Sequence, residues 1–173
     1  PGHSGGDPVI AMGLERGWRR RQAGGYERGS GQQPEEPGGQ EGASGAGTTI
    51  VMAHRGGARG LGENTIPAFR AALGAGAGGL ESDAWLTADG VVVLDHDGII
   101  GVPGRRRRLG SVECAGLPGR LPSLAGLYAA CGTAFQLSLD LRDPAALPEV
   151  VRVAARAGGL DRLWLCHGDA TLL

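Results

Sequence analysis

The stretch Thr49-Ile50-Val51-Met52-Ala53-His54-Arg55-Gly56-Gly57 passes from an apolar run straight into polar residues and glycines. The apolar part predicts a strand, and the glycines predict a turn at the strand's carboxyl end. A histidine and an arginine therefore stand together at the point where a strand ends.

Carboxylates follow in the next predicted strand, at about 80–86. Glu81 and Asp83 are two residues apart, and side chains two apart on a strand point to the same face. Two like charges about 4 Å apart cost roughly 4 kcal/mol at an effective dielectric constant of about 20. A divalent cation between them would remove that cost. The pair therefore predicts a metal site; the alternative is a solvated strand face, which flanking Leu80 and Trp85 disfavour.

The composition changes abruptly near residue 49. Residues 1–48 are rich in Gly, Gln, Glu, Pro and Ser and have almost no aliphatic periodicity. Such a segment cannot bury enough apolar surface to offset its ordering entropy, so we predict a disordered segment over 1–48. Residues 49–173 form the predicted domain.

Within this domain, apolar patterns predict strands at 49–53, 80–86, 91–94, 135–141 and 163–166, and helices near 65–73, 124–131 and 147–157. Strand and helix mostly alternate, which indicates βα units and a parallel sheet. Most of the polar residues of interest fall at the carboxyl ends of strands, the catalytic face of a (β/α)₈ barrel. A closed barrel takes about 250 residues. We therefore expect an α/β chain of the TIM-barrel type, truncated after about five strands.

Charge and cysteine content exclude several classes of protein. The 17 basic residues are all arginine and face 18 acidic residues, and the net charge of −1 gives no general attraction to nucleic acid or anionic membranes. The three cysteines lack a Cys-x-x-Cys spacing, which argues against a disulfide framework or a thiolate zinc site. No apolar run reaches the roughly 18 residues of a membrane span, and no secretory leader is recognisable, so the expected location is cytoplasmic.

Several short motifs occur in a fixed order along the domain. They are His54-Arg55-Gly56, Glu63-Asn64-Thr65, Glu81-Ser82-Asp83, Thr87-Ala88-Asp89-Gly90, His96-Asp97 and Leu121-Pro122-Ser123-Leu124. This series resembles the glycerophosphodiester phosphodiesterase family of metal-dependent TIM-barrel enzymes. The resemblance extends to Leu139-Asp140-Leu141-Arg142, which stands where the family usually has a Glu-x-Lys strand.

The resemblance implies a role for each of these side chains. It implies that Glu81, Asp83 and Asp140 hold one divalent cation, and oxygen ligands suit Ca²⁺ or Mg²⁺. For Asp140, a solvated or helix-capping carboxylate is the alternative. His54 and His96 look like the acid–base pair, since histidine titrates near neutral pH.

Arginines are expected to bind the substrate phosphate. Arg55 offers a planar fork that matches phosphate oxygens, and Arg142 is expected to assist. Glu63 either contacts substrate hydroxyls or the metal, or is a first-turn carboxylate favoured by the helix dipole. The run Arg105–Arg108 is expected to be a solvated loop, with steering of an anionic substrate as the alternative.

The function implied by the resemblance is hydrolysis of a small-molecule glycerophosphodiester to an alcohol and glycerol 3-phosphate. The alternative on the same barrel is a phospholipase D-like or phosphoinositide-type lipid phosphodiesterase. A non-catalytic fragment is the third reading, because five strands of a barrel leave open edges.

Overall fold

A computed structural model of the chain describes residues 11–13, 50–57 and 60–169. The predicted disorder over 1–48 lies outside the described residues, apart from Ala11–Gly13, which form a short strand. The predicted boundary of the domain at residue 49 also lies outside them.

The described part alternates strands and helices. The strands are β1 (Ala11–Gly13), β2 (Met52–His54), β3 (Gly79–Leu86), β4 (Val92–Leu94), β5 (Ile99–Ile100), β6 (Arg107–Arg108), β7 (Gln136–Leu141) and β8 (Leu163–Cys166). The helices are α1 (Ile66–Gly74), α2 (Leu124–Cys131) and α3 (Leu147–Ala157).

The main sheet has the strand order β1-β8-β7-β3-β2. Strands β2, β3, β7 and β8 run parallel, and a helix lies between each of them and the next along the chain. This is the expected α/β arrangement with a parallel sheet, and it supplies four of the eight strands of a closed barrel. At the far edge, β1 pairs antiparallel with β8.

Strand β4 does not belong to the parallel series. It pairs antiparallel with the end of β3, with Ala84 opposite Leu94 and Leu86 opposite Val92. A tight turn at 87–91 forces this return, because parallel strands need a crossover of a dozen or more residues. Four of the five predicted strands therefore form the parallel sheet, and the fifth makes a hairpin.

Helix α1 fixes the geometry just after the first polar turn. Thr65 is its N-cap: the Thr65 hydroxyl oxygen accepts the amide proton of Ala68 at 3.3 Å. Pro67 lies in the first turn, where its missing N–H is no loss.

The buried apolar residues form two clusters. The larger one packs the parallel strands against the helices through residues such as Phe69, Leu80 and Leu139. The smaller one comprises Val93, Ile100, Leu109, Val112 and Leu121. Among the described residues, no helix has the length and apolarity that crossing a bilayer requires.

Candidate functional site

A left-handed turn follows β2 and presents its polar groups to the sheet. Arg55 has φ 50° and Gly56 has φ 84°. The Arg55 amide donates to the backbone carbonyl of Glu81 at 3.0 Å and to its Oε2 at 3.2 Å. A Cβ on Gly56 would stand 2.8 Å from that of Ala68. Only glycine permits both this φ and this close approach to α1.

Three carboxylates converge next to this turn. Asp83 on β3 lies directly opposite Asp140 on β7, and Glu81 is two residues earlier on β3. One carboxylate oxygen from each of the three residues lies within 4.8 Å of the others. The expectation that Glu81 and Asp83 share a face is confirmed. Asp140, for which a solvated or capping position was the alternative, is part of the same cluster.

Asp83 is the buried member of the carboxylate cluster. The residue is 1% exposed, which excludes the solvated-face alternative for this strand. Its Oδ2 is buried and accepts no hydrogen bond from any described group. Buried polar atoms are normally satisfied, so an orphaned carboxylate oxygen facing two more carboxylates fits a site for a hard divalent cation.

The electrostatics of the cluster are those of crowded acids. Burial raises the pKa of Glu81 above its ordinary value, and the neighbouring Asp83 raises it further. Burial likewise raises the pKa of Asp140, again with Asp83 as the next cause. Both effects disfavour the charged form, and a bound cation would offset both.

Two guanidinium groups approach Asp83 from opposite sides. Nε of Arg142 donates to Oδ1 at 2.7 Å, and this hydrogen bond raises the pKa of Arg142. Nε of Arg55 lies 3.6 Å from Oδ2. The arginines that were predicted to bind phosphate therefore contact a predicted metal ligand in this structure.

Asn64 ties the second motif to the first. The backbone amide of Asn64 donates to the Arg55 carbonyl at 3.0 Å, and its side-chain Oδ1 accepts the Ser82 hydroxyl proton at 2.7 Å. Asn64 is buried, with φ 51°. Asparagine tolerates this left-handed conformation better than most residues, which explains its place in the loop.

Glu63 is an exposed residue whose Oε2 accepts a hydrogen bond from Nη1 of Arg55 at 3.1 Å. The first-turn alternative for Glu63 is wrong, because Thr65 is the cap and the first turn of α1 contains no acidic residue. Glu63 instead helps to fix the Arg55 guanidinium.

The two predicted catalytic histidines are exposed, His54 by 69% and His96 by 41% of the side chain. Nε2 of His54 is 3.8 Å from Oε2 of Glu81, so His54 borders the carboxylate cluster. Nδ1 of His96 is 2.7 Å from Oδ1 of Asp97. The preceding residue, Asp95, donates its amide to the Asp83 carbonyl at 3.1 Å, which places the His96 segment beside the same part of β3.

Sequence reasoning missed one contact at this edge. Cys166 lies opposite Asp140 in the sheet. The Cys166 sulfur is also 3.5 Å from the Ser138 hydroxyl. The register of parallel strands is the signal that would have found it, since both residues follow apolar runs that enter the same sheet edge.

A cavity of about 510 Å³ lies elsewhere, between α2 and α3. Tyr128, Arg152 and Arg156 are among its lining residues, and none of the predicted site residues is. Converging charges are a stronger sign of chemistry than volume alone, so the carboxylate cluster is the candidate site.

Part of the chain is similar in sequence to known proteins of one family. The sequence pattern of the Glycerophosphoryl diester phosphodiesterase family matches residues 54–125. A glycerophosphodiester phosphodiesterase from Caldanaerobacter subterraneus subsp. tengcongensis is 51% identical over 49 residues, which are 28% of this chain and 20% of that protein.

Solved structures show the same fold. A glycerophosphodiester phosphodiesterase from Thermotoga maritima superposes with a TM-score of 0.64 at 25% identity, over 73% of this chain and 57% of that one. One from Parabacteroides distasonis has a TM-score of 0.60 at 25% identity, over 71% and 58% of the two chains. The predicted fold class, part of a TIM barrel with a parallel sheet, is confirmed. The chain spans little more than half the length of these solved relatives.

Proposed function

The chain carries part of a domain of the glycerophosphoryl diester phosphodiesterase family, and on that premise we propose that the protein hydrolyses glycerophosphodiesters to an alcohol and glycerol 3-phosphate. The observation that carries the proposal is the meeting of three carboxylates within 4.8 Å beside the Arg55 and Arg142 guanidinium groups. Negative groups that hold a cation and positive groups that face it are what a phosphodiester site requires.

Glu81, Asp83 and Asp140 are the proposed ligands of one divalent cation, Ca²⁺ or Mg²⁺. Oxygen-only ligands suit these hard cations. The unsatisfied Oδ2 of Asp83 supports the assignment. When bound, the cation polarises a phosphoryl oxygen and neutralises developing negative charge.

Arg55 and Arg142 are proposed to bind the phosphate oxygens. Guanidinium groups bind phosphate bidentately through parallel N–H bonds. Glu63 orients the guanidinium group of Arg55, and the Glu81 carboxylate accepts a hydrogen bond from the Arg55 backbone amide. Arg142 is partly exposed, and the guanidinium donors other than Nε, which bonds Asp83, would be available to the phosphate oxygens.

His54 and His96 are the proposed acid and base. One accepts the proton of the attacking group and the other donates a proton to the leaving alcohol, a division that histidine can perform near neutral pH. Both side chains are solvent-accessible, so each can exchange its proton with water between turnovers.

A chelator experiment tests the proposal. Turnover of glycerophosphocholine by the protein should stop in excess chelator and return with added Ca²⁺ or Mg²⁺, with a lysophospholipid assayed beside it to test the lipid alternative. Asp140→Asn should be less active than the parent protein. Asp161→Asn, which changes one exposed carboxylate far from the cluster, is its matched control. Full activity in chelator, or equal activity of the two variants, would contradict the proposal.

Two further points stay proposals. The domain is proposed to occupy residues 49–173, with Ala11–Gly13 of the preceding segment added to its sheet as an edge strand. The cytoplasmic location indicated by the sequence remains a prediction.

A further inference from the structure

A basic hairpin, residues 99–108, projects beside the carboxylate edge of the sheet. It consists of β5, β6 and the connection between them, with Ile99 opposite Arg108 and Ile100 opposite Arg107. Its first residue follows Gly98, whose amide donates to Oδ2 of Asp95 at 2.9 Å. Asp95 in turn is bonded through its backbone to Asp83. The basic hairpin therefore stands next to the proposed active site.

One side of the basic hairpin is anchored. Ile100 belongs to the smaller apolar cluster with Val93 and Leu109, and the Leu109 amide donates to the Gly98 carbonyl at 2.9 Å. Because neighbouring residues of a strand face opposite ways, burial of Ile100 turns Ile99 outward. The exposed face is thus a consequence of how the hairpin is held.

That exposed face combines aliphatic and cationic groups. Ile99 is 45% exposed and Val102 is 63% exposed. The four arginines 105–108 are all exposed. None of the ion pairs found among the described residues involves these four arginines, and residues 99–108 contain no acidic residue.

We propose that the basic hairpin binds the surface of anionic phospholipid membranes. Arginine near such a surface is attracted by the negative lipid headgroups, while Val102 and Ile99 enter the boundary between headgroups and acyl chains. The whole-chain charge of −1 conceals this local concentration of positive charge. The proposal concerns a docking surface and does not depend on the proposed catalytic activity.

The composition of the hairpin favours lipid over nucleic acid. Single-stranded nucleic acid is bound by stacking its bases on aromatic side chains, and residues 99–108 contain no aromatic residue. Exposed valine and isoleucine gain nothing from a phosphodiester backbone, whereas they gain free energy on leaving water for lipid. A bilayer surface can contact both the cationic and the aliphatic side chains of the exposed face.

The first experiment measures the charge contribution. Sedimentation with vesicles of phosphatidylcholine alone, and of phosphatidylcholine and phosphatidylglycerol in equal parts, gives the partition coefficient of the protein. We expect binding only to the anionic vesicles, weakening as added salt screens the charges. The double substitution Arg105→Ser with Arg106→Ser should lower the partition coefficient on the anionic vesicles roughly 25-fold, since each arginine contributes roughly fivefold.

Arg156→Ser with Arg162→Ser is the matched control for charge. Both arginines are exposed and lie around the segment that enters β8, at the opposite end of the sheet. The control variant carries the same change in net charge and should bind nearly as well as the parent. Equal losses in the two double variants would overturn the proposal, because attraction would then follow net charge and not the hairpin.

The second experiment measures the apolar contribution. Val102→Ser should weaken vesicle binding by roughly fivefold, because a half-buried valine side chain is lost from the lipid boundary. Val51→Ser, at a valine that is 66% exposed before β2, is the matched control and should change nothing. Both substitutions are on the surface, and a thermal melt checks that each variant is folded.

Three further results would overturn the proposal. They are absence of binding to the anionic vesicles, insensitivity of that binding to Val102→Ser, and binding of a single-stranded oligonucleotide that the Arg105 and Arg106 substitutions abolish while vesicle binding persists. The last result would assign the basic hairpin to nucleic acid.

Discussion

Arg142 and Asp83 are joined by a 2.7 Å hydrogen bond from Nε to Oδ1, so a basic side chain occupies an oxygen of a proposed metal ligand. A cation held by the proposed ligands would therefore compete with the Arg142 guanidinium for the negative charge of the Asp83 carboxylate.

Removing Arg142 should strengthen cation binding. In Arg142→Ala a positive charge beside Asp83 is lost, so the cation meets less repulsion; at this partly exposed position the gain is about 1 kcal/mol, and affinity should rise roughly fivefold. Calorimetric titration with Ca²⁺ or Mg²⁺ measures the change. Arg152→Ala, which removes a comparable contact with the partly exposed Glu149, is the control; identical affinities in both variants would rule out the competition.

The cation-free fold should lose stability as pH rises. The folded-state pKa values of Glu81 and Asp140 are raised above their ordinary values of 4.5 and 3.8. The folded protein then binds more protons than the unfolded one between the ordinary and the raised values. The stabilisation is complete below the ordinary pKa and disappears as pH rises through the raised pKa.

Thermal melts of the cation-free protein across this window measure the effect. Asp140→Asn should make the decline in Tm shallower, and an added divalent cation should reverse the decline. Asp161→Asn, at an exposed residue, should leave the decline as it is. If Asp140→Asn leaves the slope of Tm against pH unchanged, the carboxylate cluster is not the cause of the decline.

Gly56→Ala and Gly60→Ala separate backbone strain from steric overlap at the first turn. Both glycines have positive φ, 84° and 85°, but a Cβ at Gly60 would meet nothing within 4 Å. Gly60→Ala should cost about 1–2 kcal/mol of unfolding free energy for the left-handed conformation alone. Gly56→Ala should cost about 1–3 kcal/mol more because of the clash with Ala68. Equal costs in denaturant titrations would deny the close contact with α1.

Each proposed catalytic histidine should be needed for rate and not for folding. His54→Gln and His96→Gln should each lower turnover by roughly 10²–10⁴-fold, the usual contribution of general acid–base catalysis. Both side chains are substantially exposed, so the melting temperature should hardly change. Near-normal turnover in either variant would remove that histidine from the proposed mechanism.

Much of the fold was predictable because apolar runs and glycine turns mark the elements locally. The antiparallel direction of strand Val92–Leu94 was not predictable, since a short continuous apolar run has the same pattern in a parallel strand and in a hairpin. The hairpin formed by β5 and β6 was also missed: each strand has only two residues, too few for any periodicity.

The site was predictable where two carboxylates are two residues apart on one strand, as Glu81 and Asp83 are. Contacts between side chains far apart in the chain were not. The Arg142–Asp83 bond joins residues 59 positions apart, and Cys166 meets Asp140 only through the strand register. The first-turn alternative for Glu63 failed because α1 begins only at Ile66, with Thr65 as its cap.

Cation binding at Glu81, Asp83 and Asp140 is tested most directly by calorimetric titration of the metal-stripped protein with Ca²⁺ and Mg²⁺. We predict one site per chain, abolished by Glu81→Gln and by Asp83→Asn and retained in Glu113→Gln, which alters an exposed carboxylate outside the cluster. A titration without heat of binding for either cation, or binding that survives both cluster substitutions, would contradict it.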